Sequence, residues 1–172
     1  MVSWLPNLLT GARLVAVVPF AILLAGADDG VSTSAAILFA LIAATDFLDG
    51  YLARHLQAQT RFGRIADPLA DRLLVDVTLI LLVIHDRLAW WLALPVLLRD
   101  ALLAAVFRAR HTETEVRVSF LGKTATALIM VSLTLLMLTA KDWPVALYVV
   151  GMVCSLLAGL RYYRAAPEGG LE

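Results

Sequence analysis

Six stretches of this chain are each apolar over close to the roughly 20 residues that a helix needs to cross a bilayer: 8–27, 31–53, 67–85, 88–109, 120–140 and 143–163. That spacing predicts an all-α fold, an integral membrane bundle of six transmembrane helices. Three polar turns (28–30, 86–87, 141–142) and two longer basic connections (54–66, 110–119) join the stretches. Connections this short favour antiparallel neighbours. Apolar residues make up 61% of the chain and charged ones 16%, against about 45–50% and 25% in a soluble domain. The excess exceeds what a thicker soluble core explains. The whole chain, 1–172, is expected to be one domain, with a short interfacial start at 1–7 carrying Trp4 and a frayed tail at 167–172.

Orientation follows from Lys and Arg. Arg13, Arg54, Arg61, Arg64, Arg108, Arg110, Arg117, Lys123, Arg161 and Arg164 fall on one side, and only Arg87 and Lys141 on the other. Both termini and both basic connections are therefore expected in the cytoplasm. A net charge of zero argues against a nucleic-acid partner. The single cysteine, Cys154, excludes a disulfide framework. No basic region precedes the first apolar stretch, which Arg13 interrupts, so it does not read as a cleavable signal peptide. Trp90, Trp91 and Trp143 lie beside the outer turns, where an aromatic belt is expected.

Four aspartates stand where a purely structural membrane protein should not have them. Asp46 and Asp49 lie near the cytoplasmic end of the second stretch, Asp67 and Asp71 at the cytoplasmic start of the third. Ionisable groups at such depth are costly and usually mark function. Asp46, Asp49, Gly50 and Ala53 fall at helical steps of three and four and form one stripe. Asp67 and Asp71, four apart, form a second. Antiparallel return across the 54–66 connection gathers four carboxylates, which cannot all ionise side by side without cations. Hard oxygen ligands suit Mg²⁺ or Mn²⁺, and a bridged pair of ions can clamp an in-line phosphoryl displacement. Gly50 and Ala53 leave a shallow groove for a nucleotide, Arg54 suits a phosphate, and Gly63 reads as a flexible joint before the second stripe.

Asp46-x-x-Asp49-Gly50-x-x-Ala53-Arg54, eight residues, then Gly63-x-x-x-Asp67-x-x-x-Asp71 resembles the complete signature of the CDP-alcohol phosphatidyltransferases. The resemblance covers essentially the whole chain, since that family also has six spans with the motif across the second and third. It implies that Asp46, Asp49 and Asp67 are metal ligands, with Asp71 near the metals and acting as general base. It also implies that Gly50, Ala53 and Arg54 contact the CDP part of CDP-diacylglycerol. The acceptor hydroxyl, deprotonated by Asp71, would attack the β-phosphorus and CMP would leave. A polar active-site cavity facing the cytoplasm, a bacterial cell membrane as location and a homodimer follow from the same resemblance.

Other positions carry two readings each. Asn7, Thr10 and Arg13 resemble the opening of many family members and would line the nucleotide site, or they are a helix cap and a surface anchor. Arg99, beside Asp100 within the fourth stretch, resembles a pair in family members acting on glycerol 3-phosphate and would hold an acceptor phosphate. Equally, it pairs with Asp76. Lys123 resembles an acceptor-binding lysine, but the second lysine usual two residues later is Ala125 here, and snorkelling to the interface is the competing role. Arg108, with Arg110, His111 and Arg117, marks the inner face and anionic lipid contacts, or guides an anionic acceptor. Gly151, Ser155 and Gly159 form a small-residue stripe that packs either within the subunit or between subunits.

The expected activity is transfer of a phosphatidyl group from CDP-diacylglycerol to an alcohol, with glycerol 3-phosphate as the first choice of acceptor. Phosphatidylglycerol, which would give cardiolipin, is the alternative that the missing second lysine favours. A membrane metal-ion transporter is the alternative of another class. Against it, the aspartates sit towards one end of their helices and no inverted repeat is visible.

Overall fold

The computed structural model describes the backbone of residues 5–56, 61–109 and 120–165. It describes side chains within those ranges except at 5–10, 46–56, 61–71, 103–104, 106–109, 120 and 161–165. Six long helices account for nearly all of it: α1 (Leu5–Ala25), α2 (Thr33–Leu56), α3 (Arg61–Ile84), α4 (Trp90–Ala109), α5 (Phe120–Leu138) and α6 (Trp143–Ala165), with one 3₁₀ turn at Asp28–Gly30. No strand occurs among the described residues. At 1.5 Å per residue these helices are about 28–36 Å long, close to the thickness of a bilayer core. Two of them are also apolar enough to cross a membrane on composition alone, over Leu121–Leu138 and Trp143–Leu160. Among the described residues, α1 and α2 add the shorter apolar helices Gly11–Ala25 and Thr33–Thr45.

The turns form because the sequence stops and restarts helices there. Asp29 and Gly30 take positive φ, 49° and 67°, which ends the helical path. Ser32 then caps α2, its Oγ accepting from the N–H of Ala35 at 3.2 Å. Ser32 also donates its own N–H to the carbonyl of Met137 at 2.8 Å, which ties the start of α2 to the end of α5. The α3–α4 turn joins the same cluster. Arg87 donates from Nη1 to the carbonyl of Ala140 at 3.0 Å and from Nη2 to those of Thr139 and Lys141. These carbonyls belong to the residues between the end of α5 at Leu138 and the start of α6 at Trp143. All three short turns therefore meet at one end of the bundle, and the α2–α3 and α4–α5 junctions lie at the other.

The core is drawn from every helix: Phe20 and Leu24, Phe39, Leu79 and Leu82, Val96, Leu133 and Leu136, and Tyr148 are all buried. Phe20 and Phe39 pack with ring centroids 5.7 Å apart, and the Tyr148 hydroxyl donates to the carbonyl of Leu92 at 3.2 Å. Outward, the surface is apolar too, with Val15, Ile22, Ile37, Leu98, Leu102 and Val150 exposed. A soluble bundle puts charge on that face, whereas lipid accepts this one. Trp90, Trp91 and Trp143 are exposed at the turn-bearing ends of α4 and α6, where the belt was expected.

Three expectations need adjusting. The 54–66 connection is mostly helix, since α2 continues to Leu56 and α3 begins at Arg61. Apolar-span counting stops at the first charges, but a helix whose polar residues recur at steps of three and four continues past the lipid. Gly63 is accordingly in the first turn of α3 and is no loop joint. The small-residue stripe divides. A Cβ on Gly151 would lie 3.0 Å from Ile129 Cγ1, and Ser155 is buried, so this part packs within the subunit, while Gly159 faces open space. Residues 1–4 and 167–172, expected at the interface and frayed, lie outside the described residues.

Candidate active site

Helix bounds place the motif. α2 carries Asp46, Asp49, Gly50, Ala53 and Arg54, and α3 carries Gly63, Asp67 and Asp71; their side chains lie outside those described. α2 and α3 touch each other, and both pack on α1. Counting back from Leu56 and forward from Arg61 at 1.5 Å per residue, Asp49 and Asp67 lie about 10 Å from the junction and Asp46 and Asp71 about 15 Å from it. The backbone thus sets two pairs of aspartates at matching depths on adjacent antiparallel helices, at the end opposite the three turns. Four carboxylates make a hard-oxygen donor set, the chemistry that Mg²⁺ and Mn²⁺ prefer. Among the described residues no other cluster of metal-ligating side chains occurs.

Beside this motif, α1, α3 and α4 frame a half-open pocket of about 290 Å³ lined by Leu14, Arg72, Leu73, Asp76, Leu97, Asp100 and Ala101. Its polar groups are ordered by Asp100, which is buried. Oδ1 of Asp100 accepts from Arg99 twice, from Nε at 2.9 Å and from Nη2 at 2.7 Å. The same oxygen lies 3.8 Å from Nε of Arg72. The expected alternative pair, Arg99 with Asp76, does not form: the guanidinium closes on its chain neighbour instead. Asp76 keeps a buried Oδ1 with no hydrogen-bond partner.

Arg13 on α1 is only 6% exposed, so it points into the bundle and is no snorkelling anchor. Asn7 and Thr10 fall inside α1, which starts at Leu5, so neither is the first cap of that helix; their side chains lie outside those described. Lys123, in the first turn of α5, is exposed. Arg108 falls in the last turn of α4, its side chain outside those described, and residues 110–119 lie wholly outside. Sequence reasoning passed over Arg72 and Asp76 as lining of a pocket. The available signal was their spacing of four within an otherwise apolar span, which puts opposite charges on one stripe.

The sequence model of the CDP-alcohol phosphatidyltransferase family matches residues 3–158. Relatives from Escherichia coli (strain K12), Shigella boydii serotype 4 (strain Sb227) and Shigella sonnei (strain Ss046) are each 34% identical over 179 aligned positions. The match covers 98% of this chain and 97% of each relative. All three relatives are named CDP-diacylglycerol--glycerol-3-phosphate 3-phosphatidyltransferase. With its eight motif positions carried on α2 and α3 and a match over nearly its full length, the chain belongs to the CDP-alcohol phosphatidyltransferase family.

Proposed function

We propose that this chain is a six-span membrane enzyme that transfers the phosphatidyl group of CDP-diacylglycerol to glycerol 3-phosphate, releasing CMP. The observation that carries the reaction is the two pairs of aspartates at matching depths on α2 and α3. The acceptor follows from the relatives, which share its whole length and are named for glycerol 3-phosphate. Asp46, Asp49, Asp67 and Asp71 hold a pair of Mg²⁺ or Mn²⁺ ions, which neutralise charge on the transferring phosphoryl group. Gly50 and Ala53 let the nucleotide approach the α2 backbone, and the Arg54 guanidinium steadies its phosphates. Asn7 and Thr10 line the nucleotide side from α1. Asp71 takes the proton of the acceptor hydroxyl as its oxygen bonds to the β-phosphorus and the bond to CMP breaks. Arg99, Lys123 and Arg108 present positive charge to the acceptor's phosphate. Both termini and the motif end face the cytoplasm of a bacterial cell, where a soluble acceptor and CMP exchange. The whole chain acts as one domain, as a homodimer.

A second reading has a specific observation behind it. Ala125 stands where the family resemblance implies a second lysine beside Lys123 for a small phosphorylated acceptor. Phosphatidylglycerol, a lipid acceptor, needs fewer cationic contacts and would yield cardiolipin.

The test is CMP release from CDP-diacylglycerol by purified protein in Mg²⁺, offering glycerol 3-phosphate and phosphatidylglycerol separately. Release with glycerol 3-phosphate, abolished by chelation or by Asp71→Ala, is the expected result. Release with phosphatidylglycerol alone selects the second reading. Full activity in Asp71→Ala removes that residue as the base.

A further inference from the structure

Resting on that reading, we propose that Tyr148 is a positioning residue: its hydroxyl holds α4 at a break made by Pro95 and so sets where Arg99 meets the acceptor's phosphate. Pro95 lies inside α4. Lacking an N–H, it leaves the carbonyl of Trp91 without its helical partner, and its ring crowds that same carbonyl. The stretch Trp90–Leu94, little more than one turn, is therefore joined to the rest of α4 by a weakened ladder. The Tyr148 hydroxyl bonds at this point, donating to the carbonyl of Leu92 at 3.2 Å. Its ring is fully buried, and α6 starts just after Asp142, which lies 3.7 Å from Arg87 in the tied turns. The bond thus fastens the break to the stiff end of the bundle.

Arg99 is the group that this placement governs. Leu92, Val96 and Arg99 follow at steps of four and three, on one stripe of α4 that passes the break. Leu92 and Val96 are buried, and Arg99, Asp100 and Asp76 lie within electrostatic reach of the Tyr148 hydroxyl. Arg99 bonds to Asp100, its neighbour on the same helix, so the pair travels with α4. The tie from Asp100 to α3, Nε of Arg72 at 3.8 Å, is longer than a hydrogen bond. Arg99 lies four residues, or about 6 Å, beyond Pro95, and a tilt of about 10° there moves it by about 1 Å. Misplacements of that size cost up to about a hundredfold where geometry matters.

The experiment measures CMP release with CDP-diacylglycerol and the acceptor that wild type accepts, glycerol 3-phosphate or phosphatidylglycerol, varied in turn. It compares wild type, Tyr148→Phe, Pro95→Ala, Arg99→Gln and the two double variants that add Tyr148→Phe. Tyr148→Phe should raise the KM for the acceptor about tenfold, while kcat per folded molecule and the KM for CDP-diacylglycerol stay within about twofold. Pro95→Ala returns an N–H to the Trp91 carbonyl, so adding Tyr148→Phe to it should move the acceptor KM by less than about twofold. The same should hold in Arg99→Gln, because Tyr148 acts through Arg99. Tyr148→Phe keeps the buried ring and carries the test alone if either partner variant fails to fold. A purely structural role lowers the folded fraction and moves neither KM. An unchanged acceptor KM in Tyr148→Phe, an equal rise in both KM values, or an undiminished effect in either double variant overturns the proposal while leaving the phosphatidyltransferase reading intact. Absence of CMP release from wild type with both acceptors overturns that reading, and this one with it.

Discussion

Asp100 balances two arginines from inside the bundle. Its side chain is 2% exposed, and those of Arg99 and Arg72 are each 25% exposed. Removing one partner of a buried pair typically costs about 3–5 kcal/mol because charge is left uncompensated. The exposure of the guanidiniums trims the expectation for Asp100→Ala to about 2–3 kcal/mol. Thermal unfolding in detergent reads it; a melting temperature equal to wild type would show that Asp100 is not the counter-charge. Asp100→Asn should recover less than half of the loss, since an amide accepts hydrogen bonds but carries no charge. Helical spacing puts Asp46, Asp49, Gly50 and Ala53 on one stripe and Asp67 and Asp71 on another, while the signature as a whole was legible through its resemblance to the family. The Arg72–Asp76–Asp100 pocket was not, because which charges meet inside a span depends on how α3 and α4 are rotated against each other. Arg99 illustrates this: two partners were open to it on paper, and the backbone of α4 settled on its own neighbour.

At the level of helices, the existence and order of all six followed from apolar length, and so did the three short turns. The inner limits of α2 and α3 did not, because the residues 54–56 and 61–66 are polar enough to read as loop although they continue the helical stripe. At the opposite end, Arg87 acts between elements. From the α3–α4 turn it reaches the carbonyls of Thr139 and Ala140, just past α5, and lies 3.7 Å from Asp142, just before α6. Gly30 presses against it from the α1–α2 turn: a Cβ there would sit 2.8 Å from Arg87 Cγ and 2.9 Å from His85 Cβ. Hydrogen bonds to a charged group are worth about 1.5–3 kcal/mol, so Arg87→Ala should lower stability by about 2 kcal/mol in a detergent melt. Arg87→Lys should restore only part, since an ammonium lacks the planar fork that spans several carbonyls. Activity per folded molecule at low temperature should be kept, because about 20 Å of helix separates the turns from Asp46 and Asp71. Lost activity in well-folded Arg87→Ala would contradict that separation.

For the molecule as a whole, the turn end and the motif end must lie on opposite sides of the bilayer if the proposed topology holds. In a Cys154→Ala background, Asp28→Cys should react in intact cells with a thiol reagent that cannot cross the membrane. Labelling seen only after lysis would invert the orientation. The cluster that joins the three turns has a further mechanical meaning. A bundle tied at one end is a lever: rocking a helix by about 4° around the tie moves its far end by about 2 Å over a 30 Å length. Displacement therefore grows with distance from Arg87, through the aspartates to the far ends of α2 and α3. Under the proposed function, the tied end is the one away from the chemistry, and the end free of that tie is where a two-tailed donor would enter and a nucleotide leave.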